Sequence, residues 1–166
     1  MGLRLPCSET LVLSNSGTVS NANVGTDKTV TIGSLSLGNG SNGGLSSNYT
    51  LSGGTHTLSV TKRPVTISGS RFYNGTTTVS SSDINTFNNT SGGQTLAVTG
   101  SGTVATALAG SSKTLTLGTL TLTDGTGSAS NYSLASGTFD INSRQVNISG
   151  SRIYNGTTIF IMKTIV

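Results

Sequence analysis

Apolar and hydroxyl-bearing residues alternate over residues 30–37: Val30 and Ile32, then Leu35 and Leu37, are interleaved with Thr, Ser and Gly. The same pattern returns at Leu115, Leu117, Leu120 and Leu122. A period of two marks a strand with one face in a core and one in water. Between Ile32 and Leu35, and again between Leu117 and Leu120, the alternation slips by one residue, and Gly33 and Gly118 stand in the slip. A β-bulge at those glycines would turn all four apolar side chains to one face. Further strands are expected at Thr95–Val98, Tyr132–Leu134, Gly137–Ile141 and Val146–Ile148, with copies at Thr10–Leu13, Tyr49–Leu51, His56–Val60 and Val65–Ile67. Only Ser81–Phe87 has the pattern of a helical turn. Short strands divided by turn residues predict an all-β fold of small antiparallel, sandwich-like domains, Ig-like or β-grasp-like.

The alternating segments belong to a longer repeat. Arg63-Pro64-Val65-Thr66-Ile67-Ser68-Gly69-Ser70-Arg71-Phe72-Tyr73-Asn74-Gly75-Thr76-Thr77 returns 81 residues later as Arg144-Gln145-Val146-Asn147-Ile148-Ser149-Gly150-Ser151-Arg152-Ile153-Tyr154-Asn155-Gly156-Thr157-Thr158. Residues 25–37 return 85 residues later at 110–122, and Asn48-Tyr49-Thr50-Leu51 returns 83 later as Asn131-Tyr132-Ser133-Leu134. The drift falls in Gly, Ser and Asn stretches, as in exposed loops that tolerate length change. A long fixed period reads as tandem beads. The expected organisation is the later part of one repeat at 8–62, a complete repeat at 63–142 and the opening strand of a third at 143–158. Residues 1–7 and 159–166 fit neither copy, as at the ends of a fragment of a longer protein.

Composition agrees with strands and turns. Of 166 residues, 56 are Ser or Thr, 23 Gly and 14 Asn, and 8% are charged, a mixture poor in helix formers. The hydrophobic share of 33% suffices for a small core in an 80-residue unit.

At Tyr73-Asn74-Gly75-Thr76-Thr77 and Tyr154-Asn155-Gly156-Thr157-Thr158 the chain resembles the YDG-type repeat of bacterial surface proteins, named for a Tyr-Asp-Gly signature. The resemblance extends to the Gly-x-x-Lys-Thr-Val/Leu strands and to Asn48-Tyr49 and Asn131-Tyr132; Asn74 and Asn155 stand where the signature has Asp. It implies a stalk repeat of a large filamentous-haemagglutinin-like adhesin, secreted or held at the bacterial cell surface, with neighbouring repeats of the same chain as partners and host or surface glycans or proteins as further ones.

What the Tyr-Asn-Gly corner does has two readings. Asn-Gly supplies a turn with positive φ while the Tyr ring packs with its hydroxyl bonded to backbone, or the Tyr is displayed to bind a sugar or protein. A feature copied into each repeat fits architecture better. Catalysis finds no footing: the stretch 63–142 holds no His, Cys or Glu, so no nucleophile–base pair of the usual kinds can be assembled there. The chain's one His (His56) and one Cys (Cys7) are far apart in sequence, and its five carboxylates are scattered, which argues against a zinc or calcium site and against any cofactor. The net charge of +4 rests on sparse basic residues, of which Lys28, Arg63, Arg71, Lys113, Arg144 and Arg152 are repeat-phased, read as solvated strand edges rather than a nucleic-acid stripe. The apolar tail after Thr158 is too short to insert into a membrane. A second functional reading makes the Thr-rich faces (Thr29, Thr31, Thr114, Thr116, Thr119, Thr121, Thr123) a hydroxyl array for carbohydrate or an ice surface.

Overall fold

A computed structural model describes residues 8–52 and 55–159; the expectations for residues 1–7 and for the tail beyond 159 fall outside them. Strands dominate and helix is confined to three-residue 3₁₀ turns. In chain order the strands are β1 (Leu11–Ser14), β2 (Thr18–Val19), β3 (Gly25–Thr31), β4 (Ser36–Asn39), β5 (Thr57–Val60), β6 (Arg63–Phe72), β7 (Thr78–Ser80), β8 (Ile84–Asn88), β9 (Leu96–Thr99), β10 (Ser101–Val104), β11 (Gly110–Thr116), β12 (Thr121–Asp124) and β13 (Tyr132–Asn142). The helical pattern at 81–87 resolves into a 3₁₀ turn, Ser81–Asp83, followed directly by β8.

Two compact units form, and neither coincides with the sequence repeat. Among the described residues, the first comprises 8–52, 55–65, 89–97 and 122–135. In it β2, β3 and β5 make a three-stranded sheet, β1 pairs with β4, and the buried apolar side chains are Val65, Leu96 and Tyr132. The second comprises 66–88, 98–121 and 136–159. It is built on a six-stranded sheet in the order β7-β10-β11-β13-β6-β8. Ile67, Val79, Ile84, Val104, Leu115, Leu120, Phe139 and Ile141 form its core.

The slip at the two glycines is a turn rather than the expected bulge. β3 ends at Thr31 and β4 begins at Ser36, each in a different sheet, and β11 and β12 part in the same way at Gly118. Leu35 N–H donates to the Ile32 carbonyl at 3.0 Å and Leu120 N–H to that of Leu117 at 2.9 Å. Gly33 and Gly118, with φ of +59° and +56°, occupy the first central position of these turns, where only glycine is free of strain. The end result resembles the expectation: Leu115 and Leu120 are buried, Leu117 and Leu122 half-buried, and Thr116, Thr119 and Thr121 exposed. True register shifts lie elsewhere, between Gly25 and Lys28, between Gly110 and Lys113, and between Ser68 and Gly69. The first two are the same irregularity in both copies, with Asp27 and Ser112 at φ of +50° and +51°.

Two expected strands do not form. Tyr49–Leu51 follows a 3₁₀ turn without entering a sheet, and Val146–Ile148 lies in a stretch with no strand at all. The reason for the second is a missing partner. β6 is held by β8 and β13, and nothing among the described residues takes those places beside 144–153.

The two copies also differ in burial. Leu96, Val104, Leu115, Leu120, Tyr132, Phe139 and Ile141 are buried, whereas their counterparts Leu11, Val19, Val30, Leu35, Tyr49, Leu58 and Val60 are half-buried or exposed. Residues 8–62 contain no counterpart of 63–88, which in the later copy supplies β6, β7 and β8 of the six-stranded sheet. Leu120→Ala is therefore expected to cost about 2–5 kcal/mol, and the counterpart Leu35→Ala clearly less. Denaturant titration followed by circular dichroism checks this, and equal losses at the two positions would contradict it.

Candidate functional site

The positions that repeat most closely converge on the end of β6. Val65, Ile67, Gly69 and Arg71 are spaced by two, so strand geometry turns them all to the core face. Val65 and Ile67 are buried, and Arg71 follows them inward with a side chain only 10% exposed. The Arg71 guanidinium lies over the Phe139 ring at 5.5 Å from its centroid. Its Nη2 donates to the Thr76 carbonyl at 2.6 Å and to Thr76 Oγ1 at 3.2 Å, and its Nη1 donates to the Thr78 carbonyl. Asp83 Oδ2 stands 3.6 Å from Nη1 and accepts the Ser80 N–H at 3.1 Å. The Arg71 Nε, by contrast, is buried without a hydrogen-bond partner among the described residues. The expectation of a solvated edge cation is corrected here: Arg71 is the post around which the corner is wound.

The Tyr-Asn-Gly residues provide the winding. Asn74 Oδ1 accepts the Thr76 N–H at 3.1 Å and the Thr76 hydroxyl at 3.0 Å, the local closure that makes Asn a turn former. Gly75 takes φ of +80°, and together they carry the Thr76 and Thr78 carbonyls round to the guanidinium. Tyr73 N–H donates to the Asn142 carbonyl at 2.9 Å, tying the corner to the end of β13. Tyr73 is 43% exposed, and its hydroxyl has no hydrogen-bond partner among the described residues. The expected hydroxyl–backbone bond is thus absent, and the side chain that closes the corner is Arg71.

The later cassette keeps the same local shape without the sheet. Arg152 Nη1 donates to Thr157 Oγ1 at 3.1 Å and to the Ile159 carbonyl at 2.7 Å, and its Nη2 donates to the Thr157 carbonyl. Asn155 Oδ1 accepts the Thr157 N–H and hydroxyl at 3.2 and 3.1 Å, and Gly156 has φ of +73°. The hook is thus encoded within its own few residues.

The Asn-Tyr motifs make a second copied tie, in the first unit. Tyr132 hydroxyl donates to Gln94 Oε1 and accepts the Ser91 N–H at 3.1 Å. Tyr49 hydroxyl donates to Glu9 Oε2 at 2.5 Å. Glu9 and Gln94 occupy equivalent places, 85 residues apart, a match visible in the sequence once the repeat is phased. Asn131 Oδ1 accepts the Val24 N–H at 2.8 Å and its Nδ2 donates to Asn23 Oδ1 at 3.0 Å. Other polar side chains brace loops: Lys28 Nζ donates to Asn21 and Asn23 carbonyls at 2.8 and 2.6 Å, and Arg63 donates to Asn89 at 2.7 and 2.9 Å. Gly33 and Gly118 stay apart from these ties in their separate turns.

One open depression of about 270 Å³ lies in the second unit. Its lining is polar, from Ser68, Ser70, Asn85, Thr86, Thr138 and Asp140 among others, and Asp140 Oδ1 already accepts the Ser112 N–H at 2.6 Å. Of the Thr array, Thr121 Oγ1 is bonded to Thr99 Oγ1 at 3.2 Å and Thr119 Oγ1 accepts the Ser101 N–H at 3.1 Å. Among the described residues no three His, Cys, Asp or Glu side chains group as metal ligands, and no helix is long and apolar enough to cross a membrane.

The family model of the YDG domain matches residues 55–139, from just before β5 to Phe139 on β13. The chain belongs to the YDG domain family. No curated protein and no solved structure matches it. The YDG match contains the Arg71 corner with all its partners named above except Asn142.

In the YDG domain Arg71→Met is expected to destabilise by about 3–5 kcal/mol, because it strands a partly buried carboxylate and two carbonyls. Arg71→Lys, which keeps the charge and loses the fork, should recover only part of this. Tyr73→Phe should change stability by less than about 0.5 kcal/mol. Arg152→Met provides the internal control, with no loss of sheet stability. Urea titration of the four variants checks the ranking, and an Arg71→Met chain as stable as wild type would contradict it.

Proposed function

We propose that this chain is a non-catalytic structural repeat of a bacterial cell-surface or secreted adhesin, acting as a stalk. The observation that carries this reading is where the copied polar groups go. Arg71, Asn74, Tyr132 and Asn131 are engaged in hydrogen bonds within the fold, so what the sequence repeats is a way of folding. Membership in the YDG domain family supports the same reading, and so does the recurrence of the hook at Arg152–Thr158. The partners on this reading are neighbouring repeats, with host or surface glycans or proteins contacted by other parts of the parent protein.

A carbohydrate-binding module is the second reading, favoured by the hydroxyl-lined depression beside Asp140. It has a carboxylate and several hydroxyls to bond a sugar but no aromatic among its lining residues to stack on a pyranose face.

Glycan-array binding of the chain separates the two. The stalk reading expects no glycan above background. A hit abolished by Asp140→Asn, in a variant with unchanged circular dichroism, would overturn it in favour of the binding module. Surface location has its own test: antibody raised to the chain should label intact cells of the producing bacterium or their culture medium, and label confined to lysed cells would contradict the proposal.

A further inference from the structure

Two surfaces of this chain match each other. One is the edge of β5. Its pairing with β3 repeats that of β13 with β11: Gly25 faces Val60 as Gly110 faces Ile141, Lys28 faces Leu58 as Lys113 faces Phe139, and Thr29 faces Thr57 as Thr114 faces Thr138. On its other side β13 carries β6, whereas β5 is an edge strand of its sheet. Leu58 is accordingly 51% exposed where Phe139 is fully buried.

The other surface is residues 144–153, the sequence copy of β6. Val65 and Ile67 are 0% and 1% exposed beneath their sheet, while Val146 and Ile148 are 63% and 62% exposed. Only the end of the segment is shaped in advance, by the hook bonds of Arg152 and Asn155, so residues 144–151 take up the strand conformation on docking.

We infer that residues 144–153 of one molecule add as a strand to the β5 edge of a second copy of this chain, in the place that β6 takes beside β13. The occupant is specified by the chain itself, because its own β6, of nearly the same sequence, sits on the equivalent edge. The pairing joins main-chain groups along the edge and gives Val146 and Ile148 the cover that Val65 and Ile67 have. Bulk is redistributed along the acceptor: His56 replaces Gly137, whose Cβ position lies 2.9 Å from Ile67, while Leu58 replaces the larger Phe139 two positions on. Donor and acceptor are different surfaces of one molecule, so the contact is heterologous and propagates head to tail. The inference does not depend on the adhesin reading.

Light scattering across a concentration series of the full chain tests it. The expected result is a mean mass that climbs above the 16.7 kDa of one chain as concentration rises. Ile148→Asp, which spoils the donor, and Leu58→Asp, which spoils the acceptor, should each be monomeric alone with unchanged circular dichroism, since both side chains are exposed in the single molecule. Mixed, the two variants should give a species of twice the monomer mass and nothing larger, because only one productive joint remains between them. A wild type that stays monomeric at every concentration, oligomers that persist in Ile148→Asp, or a mixture with no dimer would each overturn the inference.

Discussion

Arg71 sits on the core-facing side of β6, where the strand's alternation calls for another Val or Ile. A guanidinium drawn out of water must recover hydrogen bonds from the protein, and it offers five donors in a fixed plane. The chain answers by bending. Asn74 and Gly75 reverse it so that the Thr76 and Thr78 carbonyls face the cation, the capping turn at 81–83 presents Asp83, and Phe139 supplies an aromatic face beneath. Phe139 lies on β13, between β11 and β6 in the sheet order, so the cation links the hook to the middle of the sheet. The Tyr-Asn-Gly signature is thus half of a device whose other half is two residues upstream.

The repeat provides its own control. Both copies carry the β11-type strand, the glycine turn, the Tyr tie and a Lys brace, from Lys28 to Asn21 and Asn23 and from Lys113 to Thr106 Oγ1, with the same backbone irregularity at Asp27 and Ser112. Burial nevertheless differs, since the apolar set is buried only in the copy that contains residues 63–88, whose strands complete the six-stranded sheet. Local geometry is copied with the local sequence, whereas a core needs partners from far along the chain. The same division explains residues 144–158, which keep the hook but form no strand.

The strand positions from Thr10 to Ile141 were largely legible because period-two alternation is a local property. The bulge expected at Gly33 and Gly118, where the chain makes a turn instead, shows its limit. A slip in the alternation signals that the chain changes direction, but a bulge and a turn into another sheet leave the same mark. Tyr49–Leu51 was misread for a related reason, since an apolar residue can be pinned by one long-range hydroxyl bond without entering a sheet. Arg71 was within reach of the sequence: continuing the inward positions Val65, Ile67 and Gly69 by one more step places a cation in the core. Its partner Asp83 and the Phe139 face were not, because they come together only through the sheet order.

Amide hydrogen exchange at Tyr73 and Tyr154, in dilute solution where the chain is monomeric, tests the account most directly. The two residues lie in nearly identical sequence, but Tyr73 N–H is bonded to the Asn142 carbonyl while Tyr154 is 91% exposed and outside any strand. If docking on β13 and not the cassette alone makes the corner part of the fold, Tyr73 should exchange with the slow core amides and Tyr154 near the rate of an unstructured peptide. Equal protection at the two positions would contradict it.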